Sequence, residues 1–109
     1  MNYQHQELAS GRWFSLTFFE QMANIGAEVG RAINWSAKNH EHSLKAAERA
    51  LELLDLTLAD QRNRSRFKEV ARTRETLVDF FWGANEYSSS DELWNSYFYP
   101  FNYAARINR

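Results

Sequence analysis

The chain has no cysteine, a single proline and only four glycines. Without cysteine there is no disulfide, and no thiol for metal, redox or nucleophilic chemistry. Few Gly and Pro leave few points at which a helix must break. No stretch approaches the ~18 consecutive apolar residues of a membrane span. The opening residues, MNYQHQELAS, lack the basic-then-apolar order of a secretory signal, so a cytoplasmic location is the default expectation. An excess of charge is missing too. Thirteen Lys and Arg against 14 Asp and Glu leave −1, which excludes whole-molecule attraction to nucleic acid and leaves only local patches. There is no Gly-rich phosphate loop, no nucleophile elbow and no pair of carboxylates isolated in an apolar setting. The chain therefore reads as non-enzymatic, with no cofactor.

What is present is helical periodicity and an abundance of rings. The 109 residues suit one domain, taken as 1–109, and 44% apolar with 25% charged residues is ordinary. Four Trp, five Tyr and eight Phe, 16% of the chain, are not ordinary. A small bundle lacks the interior for all of them, so some belong at a surface or an interface.

Thr17 and Glu20 have capping-box spacing and open a first helix that runs to about Lys38. Phe18, Met22, Ile25, Val29 and Ile33 form its apolar face. Beside them Phe19, Ala23, Gly26, Ala27 and Gly30 make a stripe of mostly small residues. Gly in a helix interior costs about 0.5–1 kcal/mol relative to Ala, tolerable where another backbone lies close. Both glycines are thus expected to meet a neighbouring helix, and Gly30→Leu to cost several kcal/mol by overpacking.

Asn39 is a turn or cap residue, and a short connection returns the second helix antiparallel. Leu44, Ala47, Leu51, Leu54 and Leu58 form its face, widened by Ala46, Ala50 and Leu53. Residues 60–64 (DQRNR) read as a loop. Ser65 is expected to cap a third helix, which runs to Trp82 before Gly83 and carries Phe67, Val70, Ala71, Leu77, Val78 and Phe81 inward. Ser89 and Glu92 again have capping-box spacing, so a fourth helix starts near Ser90 or Asp91. Pro100 is expected to kink or interrupt it, with a last segment from Phe101 to about Ile107. Upstream, a short helix around Leu8 and Ala9 precedes Trp13 and Phe14, whose rings should dock on the bundle. The fold class is all-α: an up-down four-helix bundle with a short N-terminal segment and a Pro-kinked C-terminal helix.

Four features bear on function. Arg62, Arg64, Arg66, Lys68, Arg72 and Arg74 crowd into residues 61–74 with only Glu69 opposing them. The first five are candidate nucleic-acid contacts, with backbone N–H groups helping to hold phosphates. The alternative is a solvated face paired with Glu48, Glu52 and Asp55. Arg74 falls within the apolar face and must be paired or reach out; Glu28, Asp55 and Asp79 are its candidate partners, in a bridge that sets helix register, and a ligand-binding arginine is the other reading. His40 and His42, two apart, point about 200° away from each other on a helix, and His5 stands alone, so no metal site is expected. Last, Trp94, Tyr97, Phe98, Tyr99, Phe101 and Tyr103 crowd six rings into ten residues, which one helix side cannot hide. They suit capping of the bundle's open end or a partner surface. Base stacking needs neighbouring cations, which arrive here only at Arg106 and Arg109.

The pairing of IGAEVGRAINWSAKN with SLKAAERALELLDLTL resembles the first hairpin of HEPN-type bundles. It is equally similar to the four-helix proteins encoded in 23S rRNA intervening sequences and to retroelement accessory proteins of that shape. The stretches EQMANIGAEVGRAI, RALELLDLT and NEYSSSDELW also look like those of small uncharacterised prokaryotic proteins. Catalytic HEPN nucleases carry an Arg with a His a few residues on. Here eight residues separate Arg31 from His40, and no His follows Arg72 or Arg74. No catalytic residue carries over, and the resemblance implies a binding-type member that contacts RNA or serves as a partner subunit. The expectation is a non-enzymatic interaction module or accessory subunit, a homodimer or the binder of a protein partner, with the six C-terminal rings as its contact surface. The alternative is an RNA- or DNA-binding bundle using the basic stretch.

Overall fold

Helix periodicity is realised along most of the described residues. The structure, a computed structural model, describes residues 11–107. These form α1 (Phe18–Trp35), α2 (His40–Ala59), α3 (Phe67–Trp82) and α4 (Asp91–Ile107), with 3-10 turns at Arg12–Ser15 and Gln61–Arg66. No strand occurs among the described residues, and none of their helices is long and apolar enough to cross a membrane. The expected helix around Leu8 and Ala9 lies outside the described residues. α1 packs on both α2 and α4, and α2 on α3.

The helix starts follow local chemistry. Thr17 Oγ1 accepts from the Glu20 N–H at 3.1 Å, and Glu20 Oε1 accepts from the Thr17 N–H at 2.9 Å, closing the expected capping box. α1 ends at Trp35, short of Lys38, because Asn39 already caps α2: its Oδ1 accepts from the His42 N–H at 3.1 Å. Ser65 is not the cap of α3, which begins without a side-chain cap. In that connection Asp60 does the capping, accepting from the Arg62 N–H at 3.0 Å. Nor is Ser89 the cap of α4. Its own N–H donates to Asn85 Oδ1 at 2.8 Å, and Ser90 Oγ accepts from the Leu93 N–H at 3.2 Å.

α4 runs through Pro100 without a break. Pro100 has no N–H to donate, yet Phe98 is buried on one side of it and Phe101 packs on the core from the other. Those rings hold the helix across the missing bond.

The core contains Met22, Ile25, Val29, Leu53, Leu54, Val70, Leu77, Trp94 and Phe98. On α2 the buried face is rotated from the leucine stripe. Ser43, Ala46, Ala47, Ala50, Leu53, Leu54 and Thr57 are buried, whereas Leu44, Leu51 and Leu58 are partly covered. Small side chains account for the rotation. Ala32 of α1 and Ala46 and Ala47 of α2 are each fully buried together, and Ser43 Oγ donates to the Ala32 carbonyl at 2.7 Å. On α3, Thr73 joins Val70 and Leu77 inside, while Phe67, expected to face inward, is 54% exposed.

The two helical glycines part company. A Cβ on Gly26 would stand 2.8 Å from Phe98 Cγ, so α4 crosses α1 there; a Cβ on Gly30 would meet nothing within 4 Å. The expected contact across Gly30 is therefore absent, since α4 crosses at Gly26 and leaves the next helical turn open.

The 3-10 turn at Arg12–Ser15 is locked by a buried polar knot. Trp13 is fully buried, and its Nε1–H donates to Thr57 Oγ1 at 3.2 Å. Gln21 Nε2 donates to the Trp13 carbonyl at 3.1 Å and to Asp60 Oδ2 at 2.9 Å. Asn63 Nδ2 donates to Gln21 Oε1 at 2.9 Å and to the Thr57 carbonyl at 3.1 Å. Every member has a partner, which is what makes polar groups tolerable in an interior. Ion pairs tie the helices further. Glu28 on α1 pairs with Arg31 and reaches Arg49 on α2.

Candidate interaction surfaces

Helix geometry splits the C-terminal rings. Trp94 and Phe98 are buried, and Tyr97 and Phe101 pack against the core. Phe101 meets Phe18 edge-on at 5.9 Å, and Trp94 stacks on Phe98 at 6.0 Å. Tyr99 and Tyr103 point the other way, 63% and 52% exposed. Ile107, four residues beyond Tyr103, is 61% exposed and extends the pair into a stripe along the outside of α4. Ile107 is aliphatic, so it falls outside the ring run that the sequence marks.

Next to this stripe, Ala23 and Ala27 of α1 and Tyr99, Asn102, Ala105 and Arg106 of α4 line an open groove of about 400 Å³. The small-residue stripe of α1 is thus used twice. Gly26 accepts the Phe98 ring, while Ala23 and Ala27 wall a groove that opens outward.

The basic stretch also divides. Arg62 Nη2 donates to Asp60 Oδ2 at 2.6 Å and to the Leu16 carbonyl at 2.7 Å, so it fastens the polar knot. That guanidinium, with a hydrogen bond from Gln21, holds the Asp60 carboxyl at about 2, below the usual carboxylate range and against its burial; the Arg62 pKa rises in return. Arg66 lies over the Phe18 ring at 4.5 Å and within 3.8 Å of Glu69. Arg74 Nε donates to Asp55 Oδ1 at 2.7 Å, one of the partners expected from sequence, and bridges α3 to α2. Asp79, another candidate for Arg74, instead accepts from the Glu86 and Tyr87 N–H groups. Arg64, Lys68 and Arg72 are exposed, and none of the three makes an ion pair among the described residues.

Between α3 and α4, Glu69, Arg72, Thr73, Thr76, Leu93, Trp94 and Tyr97 border a cleft of about 280 Å³. The Tyr97 hydroxyl lies 3.1 Å from Thr73 Oγ1 and donates to Glu69 Oε1 at 3.1 Å. Burial raises the Tyr97 pKa to about 12 despite the Thr73 hydrogen bond. His42 meets the Trp35 ring edge-on at 4.9 Å, and no group of three potential metal ligands assembles among the described residues. His5 lies outside them.

Comparison of the chain with protein-family profiles, with curated proteins and with solved structures finds no match.

Proposed function

We propose that this chain is a small helical interaction module that pairs with a second copy of itself through the outer face of α1 and α4. The observation that carries the reading is the exposed stripe of Tyr99, Tyr103 and Ile107 beside the groove walled by Ala23 and Ala27. Projecting rings and a shallow hollow occupy adjoining strips of one surface. A two-fold axis needs that arrangement, because each copy then supplies knobs to the other's hollow. Tyrosine suits the role: it offers large area, two rotatable angles and a hydroxyl that tolerates water before pairing. The resemblance of the α1–α2 hairpin to HEPN-type bundles implies a binding-type member, one that contacts RNA or serves as a partner subunit.

Light scattering of the full chain tests this. At tens of micromolar the chain should scatter with twice the monomer mass. The double variant Tyr99→Glu, Tyr103→Glu should scatter as a monomer with its helical content retained, because neither side chain is buried. A wild-type monomer, or a variant that still pairs, overturns the reading.

A further inference from the structure

A second surface, independent of the α1–α4 face, carries a different chemistry. Phe67, Lys68, Ala71, Arg72 and Glu75 of α3 and Tyr87 of the following loop line an open hollow of about 460 Å³. Phe67 is 54% and Tyr87 50% exposed. Large rings left in water beside cations without ion pairs invite an occupant that has both a flat apolar face and negative charge.

The ring of Tyr87 is presented from a pinned backbone. Asp79 on α3 accepts from the Glu86 N–H at 2.8 Å and from the Tyr87 N–H at 3.0 Å. Asn85 and Ser88 hold positive φ angles of 56° and 55° on either side, and Asn85 is tied to Ser89 in both directions. The loop is therefore fixed to α3 by its main chain, while the Tyr87 side chain is spent on no hydrogen bond. Phe67 opens α3 itself. Both rings thus stand on anchored backbone, which lowers the ordering cost of stacking.

The charge is arranged to match. Lys68 and Arg72 line the hollow, Arg64 precedes them in the adjoining 3-10 turn, and all three are exposed and make no ion pair among the described residues. Arg62, Arg66 and Arg74, by contrast, are engaged with Asp60, with Phe18 and Glu69, and with Asp55. The one carboxylate in the lining is Glu75.

We infer that this hollow binds single-stranded nucleic acid, with unpaired bases on Phe67 and Tyr87 and the backbone phosphates along Arg64, Lys68 and Arg72. Duplex is excluded from the same pairing because its bases are already stacked and only its phosphates are offered. Stacking platforms beside cationic grooves are the general means of sequence-tolerant single-strand binding. RNA and single-stranded DNA supply the same rings and phosphates, and comparing the two identifies the source.

Fluorescence anisotropy with the full chain and labelled oligo-U, oligo-dT and a duplex, each of about twelve nucleotides, tests the inference at about 50 mM salt. One or both single strands should bind more tightly than the duplex. The log–log salt slope should be about −2, as three phosphate contacts on a single strand require. Tyr87→Ala should weaken binding on the order of tenfold and leave that slope unchanged. Arg72→Gln should flatten the slope by about 0.7. Both residues are exposed, so a retained helical melt identifies any loss as one of binding. Absence of single-strand binding, equal or tighter duplex binding, or indifference to Tyr87→Ala overturns it. None of these readouts depends on self-association, so Tyr99→Glu, Tyr103→Glu should bind the same oligonucleotides as wild type, and loss of binding in that variant would place the site elsewhere.

Discussion

The ring of Phe98 occupies the space that a side chain on Gly26 would fill. An added Cβ would stand 2.8 Å from Phe98 Cγ and 2.9 Å from its Cβ. Those atoms are the root of the side chain, so they cannot swing aside without moving α4. Gly26→Ala should therefore destabilise the fold by about 1–3 kcal/mol. Gly30→Ala, whose new methyl meets nothing within 4 Å, should stabilise it by about 0.5–1 kcal/mol through helix propensity. Urea midpoints of the two variants check the pair; equal effects would contradict the crossing of α4 at Gly26.

Asp60 makes the polar knot sensitive to acid. Its carboxyl titrates at about 2 when folded against 3.8 as the ordinary value. The ionised form is thus the stabilising one. Its contribution is complete above about pH 4 and is lost as pH falls through about 2, amounting to about 2 kcal/mol. Asp60→Asn should lower stability at neutral pH and remove this part of the acid dependence. Urea midpoints between those pH values, measured on both proteins, check it.

Tyr97 should titrate late. Its pKa is raised to about 12 from 10.0, chiefly by burial, so the protonated phenol belongs to the folded state. Its share of stability is complete below about pH 10 and is lost as pH rises toward 12. Tyrosinate absorbance followed across that range should show a late component, absent in Tyr97→Phe. The same variant gives up the hydrogen bonds to Thr73 and Glu69 and should lose about 1 kcal/mol.

The bridge between Arg74 and Asp55 is short at 2.7 Å, but its side chains are 38% and 50% exposed. Water and salt screen such a pair. A double-mutant cycle with Arg74→Gln and Asp55→Asn should return a coupling below about 1 kcal/mol. A larger value would mean that this pair, and not the packing of Ala46, Ala47 and Ala50, sets how α2 is positioned.

The legible parts of the fold were those governed by local chemistry. The Thr17–Glu20 box, the stop at Gly83 and the inward Met22, Ile25 and Val29 follow from spacing alone. On α2 the spacing marked Ala46, Ala47, Ala50, Leu53 and Leu54, all of them buried, but not that the small residues would be covered more fully than Leu44, Leu51 and Leu58. Small size wins there because it lets α1 come close. Passage of α4 through Pro100 depends on rings docking on a distant segment. The polar knot joins Gln21 to residues 39 and 42 positions away, and no local pattern announces it. For the surfaces, the ring run and the basic stretch were visible, but their division was not. Which cations are free depends on Asp60, Phe18 and Asp55, and Tyr87 reaches the α3 cations only because Asp79 draws its loop back.

The α1–α4 outer face is the proposed interface between two copies of the chain. The chain's lack of cysteine permits a direct measurement: maleimide labelling of single-cysteine variants at increasing protein concentration. Ala27→Cys, in the groove, should label more slowly as concentration rises. Lys38→Cys, in the exposed turn after α1, should label at a constant rate. Equal, concentration-independent labelling at both positions would contradict it.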